Sequence, residues 1–260
     1  MMTKTYKIIS WNINGIRAVL GKGLLKWVDK EKPDILCLQE TKAHPEQLSK
    51  EVIDHKPYFS YWDSSTVKKG YSGVAVYSKT EPIRVEKGLG IERFDGEGRV
   101  VMAEFPEFIL FNVYFPNGKM NSDRLNYKLE FYEAFLKKID ALKAKGKKII
   151  FCGDVNTAHQ TIDLARPAAN EDISGFLPIE RKWIDRVVEH GYLDSLREFH
   201  PEPHLYTWWD LKSGARARNV GWRIDYFFVQ KELRPHLKGA TILADVAGSD
   251  HCPVAITMQF

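Results

Sequence analysis

Cysteine is scarce: three occur in 260 residues (Cys37, Cys152, Cys252), odd in number, far apart and without a CxxC pair. This argues against a zinc framework or a disulfide scaffold and predicts buried free thiols in a reducing compartment. No apolar run approaches the roughly 18 residues of a membrane span. The segment MMTKTYKIISWN enters a strand-like stretch with no signal-type apolar region, so a cytoplasmic protein without membrane contact is expected. Nor does one sign of charge dominate. Lys and Arg total 38 against 34 Asp and Glu, a net of +4, which permits an anionic partner without requiring one. Repeats, low-complexity tracts and Pro/Gly/Ser linkers are absent. What is present is 44% hydrophobic residues in short interrupted runs, enough to bury a sizeable core. One domain, residues 1–260, is expected.

Strand-like and helical patterns alternate along the chain. Tyr6 to Trp11, Asp34 to Gln39 and Lys148 to Gly153 read as buried strands. Closely spaced runs at Tyr58 to Asp63, Gly73 to Ser78, Ile83 to Leu89, Val100 to Phe105 and Phe108 to Phe115 predict antiparallel hairpins. Further strands are expected at Leu205 to Trp209, Arg223 to Val229, Ala240 to Leu243 and Cys252 to Phe260. Helices are expected at Gly23 to Glu31, His44 to Ile53 and Glu180 to His190, and from Ser122 onward. The last carries Leu125, Leu129, Tyr132, Leu136, Ile139 and Leu142 at three- and four-residue steps until Gly146. About a dozen strands with few helices make two packed sheets flanked by helices, an α+β layered fold. The apolar ending VAITMQF predicts a last strand tucked into a sheet.

Several apolar strands end in residues suited to metal or phosphate chemistry. These are Asn12, Glu40, Tyr114 with Asn117, Asp154 with Asn156, Asp225, and Asp250 with His251. Each alone has an ordinary reading: an Asx turn at Asn12, a surface pair of Glu40 with Lys42, a core aromatic at Tyr114. Asp225, between Ile224 and Tyr226, must be paired if buried, and His251 is a partner that would satisfy both. Strand ends share a rim where ligands gather. A rim with Glu40, Asp154, Asp225 and Asp250 carries too much negative charge to stay uncompensated, and a hard divalent cation is the natural neutraliser. With Asn, Tyr and His donors alongside, this chemistry suits phosphodiester hydrolysis.

A second signal lies at residues 207–223, TWWDLKSGARARNVGWR. It holds three of the seven tryptophans and four cations (Lys212, Arg216, Arg218, Arg223) against one acidic residue. Cations suit phosphates and flat rings suit sugars and bases.

The segments WNINGIRA, ILCLQETK, YSGVAVYSK, EGRVVMAEF, VYFPNG, CGDVN, GWRIDYFFV and GSDHCPV occur in an order that resembles the exodeoxyribonuclease III family of apurinic/apyrimidinic (AP) endonucleases. That family falls within the endonuclease/exonuclease/phosphatase superfamily. The likeness spans Lys7 to Phe260 and implies a four-layered α/β sandwich with its site at one edge of the two sheets. It implies Mg²⁺ (with Mn²⁺ as substitute) held by Glu40, with Asp250 and Asn12 nearby. Asp154 and Asn156 would bracket the scissile phosphate, Tyr114 would hydrogen-bond it, and His251, oriented by Asp225, would complete the site. Asp154 and the Asp225–His251 pair are rival candidates for the base.

The resemblance further implies duplex DNA containing abasic sites as partner, bound by a monomer. Trp208 and Trp222, with Leu243, would line a pocket for a flipped sugar. Asn170 matches a family position near the phosphate. Arg17, Lys42, Lys68, Lys69 and Tyr71, in loops or at strand ends, and Arg218 of the tryptophan-rich segment are candidates from the sequence itself for backbone contact, with plain solvated surface as the alternative. Asn14 stands where some relatives carry Asp, which argues against a second tightly held metal. Met120 stands near the wedge arginine of some animal relatives. Two alternatives are a phosphatase of the same fold acting on a lipid or inositol phosphate and a catalytically silent DNA-binding module.

Overall fold

The computed structural model describes residues 3–119 and 121–260, so Met120 lies outside the described residues. The chain runs β1 (Thr5–Asn12), α1 (Ile16–Leu20), α2 (Leu24–Glu31), β2 (Ile35–Gln39), α3 (Lys50–Ile53), β3 (Phe59–Asp63), β4 (Val74–Ser78) and β5 (Arg84–Lys87). It continues through α4 (Glu92–Asp95), β6 (Val100–Glu104), β7 (Ile109–Tyr114), α5 (Ser122–Lys143), β8 (Ile149–Asp154), α6 (Pro178–Glu189) and β9 (Tyr192–Asp194). The last part holds β10 (Trp208–Trp209), β11 (Gly221–Trp222), β12 (Asp225–Gln230), β13 (Leu237–Ile242) and β14 (Val254–Gln259).

Two six-stranded mixed sheets form, in the orders β13-β14-β1-β2-β4-β3 and β5-β6-β7-β8-β12-β9, and β10 pairs with β11 as a separate ribbon. The inner strands β2, β4, β7, β8 and β12 are buried along their whole length because both of their faces are covered, whereas the edge strands β5 and β13 keep exposed residues. Along β2, Ile35 and Cys37 point between the sheets while Leu36 and Leu38 pack with Trp11, Val19 and Val28 on the outer side. Along β7, Leu110 faces the other sheet while Phe111 and Val113 pack with Phe131, Phe135 and Trp183 of α5 and α6. The result is a four-layered sandwich, helix–sheet–sheet–helix. All three cysteines are buried and free. No helix among the described residues is long and apolar enough to cross a membrane.

The closing strand β14 lies between β1 and β13, so the apolar C-terminal run is an interior strand. Two expected elements are shorter than their patterns suggest. The stretch 44–53 splits into a 3₁₀ turn at Pro45–Gln47 and the single-turn α3, because Leu48 and Ser49 are extended between them. In 205–209 only Trp208 and Trp209 pair as strand.

Candidate active site

The topology gathers the polar strand ends. β1 and β2 are parallel, with Asn12 beside Gln39, so Glu40 follows directly at the same edge. β7 and β8 are also parallel, with Tyr114 beside Asp154, and the antiparallel β12 starts there with Asp225 beside Asp154. β14 runs against β1, with Val254 opposite Ser10, which brings Asp250 and His251 to the same rim. The approach of β7 to β8 needs Gly153, since a Cβ there would lie 1.9 Å from the Val113 carbonyl oxygen. Four of the eight described non-glycine residues with left-handed backbone, Asn14, Glu40, Lys42 and Asn156, belong to this rim. Such conformations cost about 1–2 kcal/mol each and concentrate where side chains must be aimed.

Ligand-type atoms of Glu40, Asp154 and His251 all lie within 4.8 Å of one another. Asn12, fully buried, ties the carboxylates together: its amide donates to Glu40 Oε1 and to Asp154 Oδ2, both at 2.9 Å, and its oxygen accepts from the Asn14 backbone N–H. Asn12 thus stands beside the cluster of ligand-type atoms and ties two of its carboxylates together. Asp250 lines the same cavity, but its carboxylate accepts from Asn14, Ser249 and Trp208 Nε1. It stands outside the cluster of Glu40, Asp154 and His251.

Thr207, which sequence reasoning passed over, donates to Asp225 Oδ2 at 2.6 Å, and the same oxygen receives His251 Nδ1 at 2.8 Å. Asp225 Oδ1 is buried without a partner. Burial pushes the His251 imidazole down, but Asp225, followed by Asp154 and Asp250, outweighs it and raises the ring to about 10. Asp154 goes the other way from an ordinary carboxyl. Burial, helped by the charges of Asp225 and Glu40, lifts it to about 7 against the pull of His251. Burial also acts on Glu40, yet Lys42 and Asn12 hold it below the usual range. Tyr114 is raised well above the ordinary phenol by burial and the charge of Glu40, so it stays a donor. Arg99, buried beneath it, donates to the Tyr114 carbonyl at 2.9 Å and lies 4.7 Å from its ring centre. Asn156 donates to the Phe115 carbonyl and accepts from Asn117.

A cavity of about 210 Å³ is lined by Glu40, Tyr114, Asp154, Asn156, Asp250 and His251 together with Trp208, Trp222, Ile224 and Gly175. Ile224 takes the place expected of Leu243, which packs instead with the Trp11 cluster on the outer face of the other sheet. Lys119 also lines the cavity, and only its nearness to YFPNG hinted at that. A larger hollow of about 570 Å³ beneath Trp209 and Arg216 has no comparable cluster of ligand-type groups among the described residues.

The residues expected at the DNA backbone fare differently. Lys42 Nζ sits 2.8 Å from Glu40 Oε2, and exposed Arg17 donates to the Lys42 carbonyl. Tyr71 accepts from Arg99 and Arg124, and exposed Arg218 donates to the Ser213 carbonyl. Asn170 lines a hollow that shares Lys119, Trp208 and Trp222 with the cavity. Lys68 and Lys69 are exposed. Two cations of the tryptophan-rich segment are committed elsewhere. Arg223 is buried against Asp163 and Asp194, and Arg216 binds the Ala244 and Val246 carbonyls while lying over Trp209.

Residues 9–251 match the model of the endonuclease/exonuclease/phosphatase family. The chain belongs to that family. It is 46% identical over 255 residues to the exodeoxyribonuclease of Bacillus subtilis, covering 97% of this chain and 99% of that one. It is 44% identical to the DNA repair nuclease APEX1 of Danio rerio, over 96% of this chain and 81% of that one. Its fold superposes on the AP endonuclease of Archaeoglobus fulgidus with a TM-score of 0.89 at 29% identity, covering 97% and 99% of the two chains.

Proposed function

We propose that this protein is a divalent-metal-dependent DNA-repair hydrolase. It cleaves the phosphodiester 5′ to an abasic site in duplex DNA and leaves a 3′-hydroxyl and a 5′-deoxyribose phosphate. Some 3′→5′ exonuclease and 3′-phosphodiesterase action accompanies this. The observation that carries the reading is one small cavity lined both by the carboxylate-rich rim and by Trp208 and Trp222. At about 210 Å³ the cavity falls below the ~300–1,000 Å³ of ordinary small-molecule sites. It suits a sugar lacking its base, the nucleotide that costs least to extrude from a duplex.

The donor set fits a hard cation. Ligand-type atoms of Glu40, Asp154 and His251 lie within 4.8 Å of one another, and the Lys42 ammonium against Glu40 is a stand-in cation. Mg²⁺ or Mn²⁺, held chiefly by Glu40 with Asp250 close by, would supply Lewis-acid stabilisation of charge on the phosphoryl and leaving oxygens, leaving Asp154 free to act on water. Asp154, raised to about 7, accepts the proton of the attacking water near neutral pH. His251, raised to about 10, remains imidazolium and donates to the phosphate rather than serving as base. Asp225 and Thr207 hold its ring, Tyr114 and Asn156 complete the phosphate cradle, and Asn12 keeps Glu40 and Asp154 together. Trp208 and Trp222 receive the sugar, and Arg17, Lys42, Tyr71, Asn170 and Arg218 flank the backbone path. The protein acts as a monomer in this reading.

The test is a duplex carrying one tetrahydrofuran abasic analogue, incubated with Mg²⁺. A single nick 5′ to the analogue is expected. Binding without cleavage would instead indicate a DNA-binding module, and neither binding nor cleavage would favour the phosphatase reading.

A further inference from the structure

Lys119 is the one amine among the residues lining the tryptophan-walled cavity. Its Nζ lies 5.3 Å from the ring centres of both Trp208 and Trp222, two rings set nearly perpendicular at 83°. The backbone that carries it is fixed from two sides. The Lys119 N–H donates to Asn117 Oδ1 at 2.8 Å, and a Cβ on the preceding Gly118 would meet Ser174 Oγ at 2.6 Å. The hydrolytic roles given above do not use this amine.

An abasic deoxyribose differs from every intact nucleotide in being a masked aldehyde at C1′. Building on the abasic-site reading, we propose that Lys119 captures the ring-opened form of the lesion as a reversible imine. The ammonium first sheds a proton to water, the freed lone pair attacks C1′, and the carbinolamine takes a proton back to expel its hydroxyl as water, so the iminium forms with one water released and no net change in protons. Hydrolysis reverses each step and needs no outside oxidant or reductant. Two features favour it. Burial holds the ammonium below the ordinary lysine value, against the opposing charges of Asp154, Glu180 and Asp210, which eases access to the free amine. The iminium product carries the same positive charge as the ammonium it replaces, so the ring faces that attract one also attract the other. The capture thus reads the aldehyde itself, in addition to the fit of the cavity.

The experiment uses the full chain in EDTA, so that hydrolysis is suppressed, with a duplex bearing a natural abasic site and cyanoborohydride to reduce any imine to a stable amine. The expected result is a covalent protein–DNA adduct whose modified peptide carries the DNA on Lys119. Lys119→Arg, which keeps the charge but not the nucleophile, should lower the adduct yield by about tenfold or more. Mapping on the wild-type protein keeps the test independent of whether the variant folds. An adduct mapping to another lysine, such as Lys42, or an undiminished yield in Lys119→Arg, overturns the proposal. So does the absence of adduct when the same protein nicks the same duplex in Mg²⁺, an outcome that leaves the hydrolytic reading intact. Neither adduct nor nick overturns both.

Discussion

Arg223 and Asp225 stand two residues apart, yet they belong to opposite kinds of buried charge. Arg223 grips Asp163 through two hydrogen bonds and Asp194 through two more, and Arg197 adds a second guanidinium to Asp163. Two cations face two carboxylates, and the cluster is neutral. Asp225 belongs to a rim where Glu40, Asp154, Asp225 and Asp250 meet His251 and Lys42, with Lys119 lining the same cavity, and acidic groups outnumber basic ones. The same residue type responds in opposite directions. Asp163, despite burial, is drawn down to about 2 by Arg223 and Arg197, whereas Asp154 is pushed up to about 7. A balanced buried cluster braces the fold; an unbalanced one marks a place where the molecule awaits a cation and a reaction.

Removing one member from each cluster separates the two roles most sharply. Asp154→Asn should lower abasic-site nicking by about 10²–10⁴-fold, while the urea midpoint holds or rises because burial disfavours the charged form of Asp154. Nicking within a fewfold of the parent would dismiss Asp154 as the base. Arg223→Met should do the reverse to the fold, costing about 3–5 kcal/mol in denaturant melts by stranding Asp163 and Asp194. A loss below about 1 kcal/mol would mean the network is not the brace described.

Acid titration sharpens the contrast more gently. The folded value of Asp163 lies below its ordinary 3.8. Its contribution is therefore complete above about pH 4 and fades as the pH falls toward about 2. Stability measured from pH 5 to pH 2 should drop by on the order of 2 kcal/mol more in the parent than in Asp163→Asn. The smallest effect is expected at an exposed pair, Arg186 with Glu133 at 2.5 and 2.8 Å. Arg186→Ala should cost less than about 1 kcal/mol, because solvent and salt screen it. A loss rivalling that of Arg223→Met would undo the distinction between buried and surface charge.

Much of the architecture was legible because buried strands in covered sheets are apolar on both faces and stop where polar residues begin. β1, β2, β7 and β8 end within a residue or so of the pattern in the chain. The elements read less well are those where local pattern and pairing diverge. Residues 44–53 have helical composition but include an extended break at Leu48–Ser49, and β9 is too short to announce itself. The candidate site was readable as a set of strand endings, and Thr207 and Ile224 were not, since neither residue type signals chemistry without its neighbours. Arg223 shows the same limit from the other side. In a segment rich in tryptophan and cations it looks like a nucleic-acid contact, and it is buried in an ion-pair network.

The order of residues by itself determined where strands begin and end, and which polar groups sit at those ends, because hydrophobic periodicity is local and covalent. Only the tertiary structure decided which charges are paired, whose titration is raised or lowered, and which apolar side chains wall the cavity at the rim. Those outcomes depend on distance and burial, and residues as far apart in the chain as Asn12, Asp154 and His251 acquire both only when the two sheets close on each other.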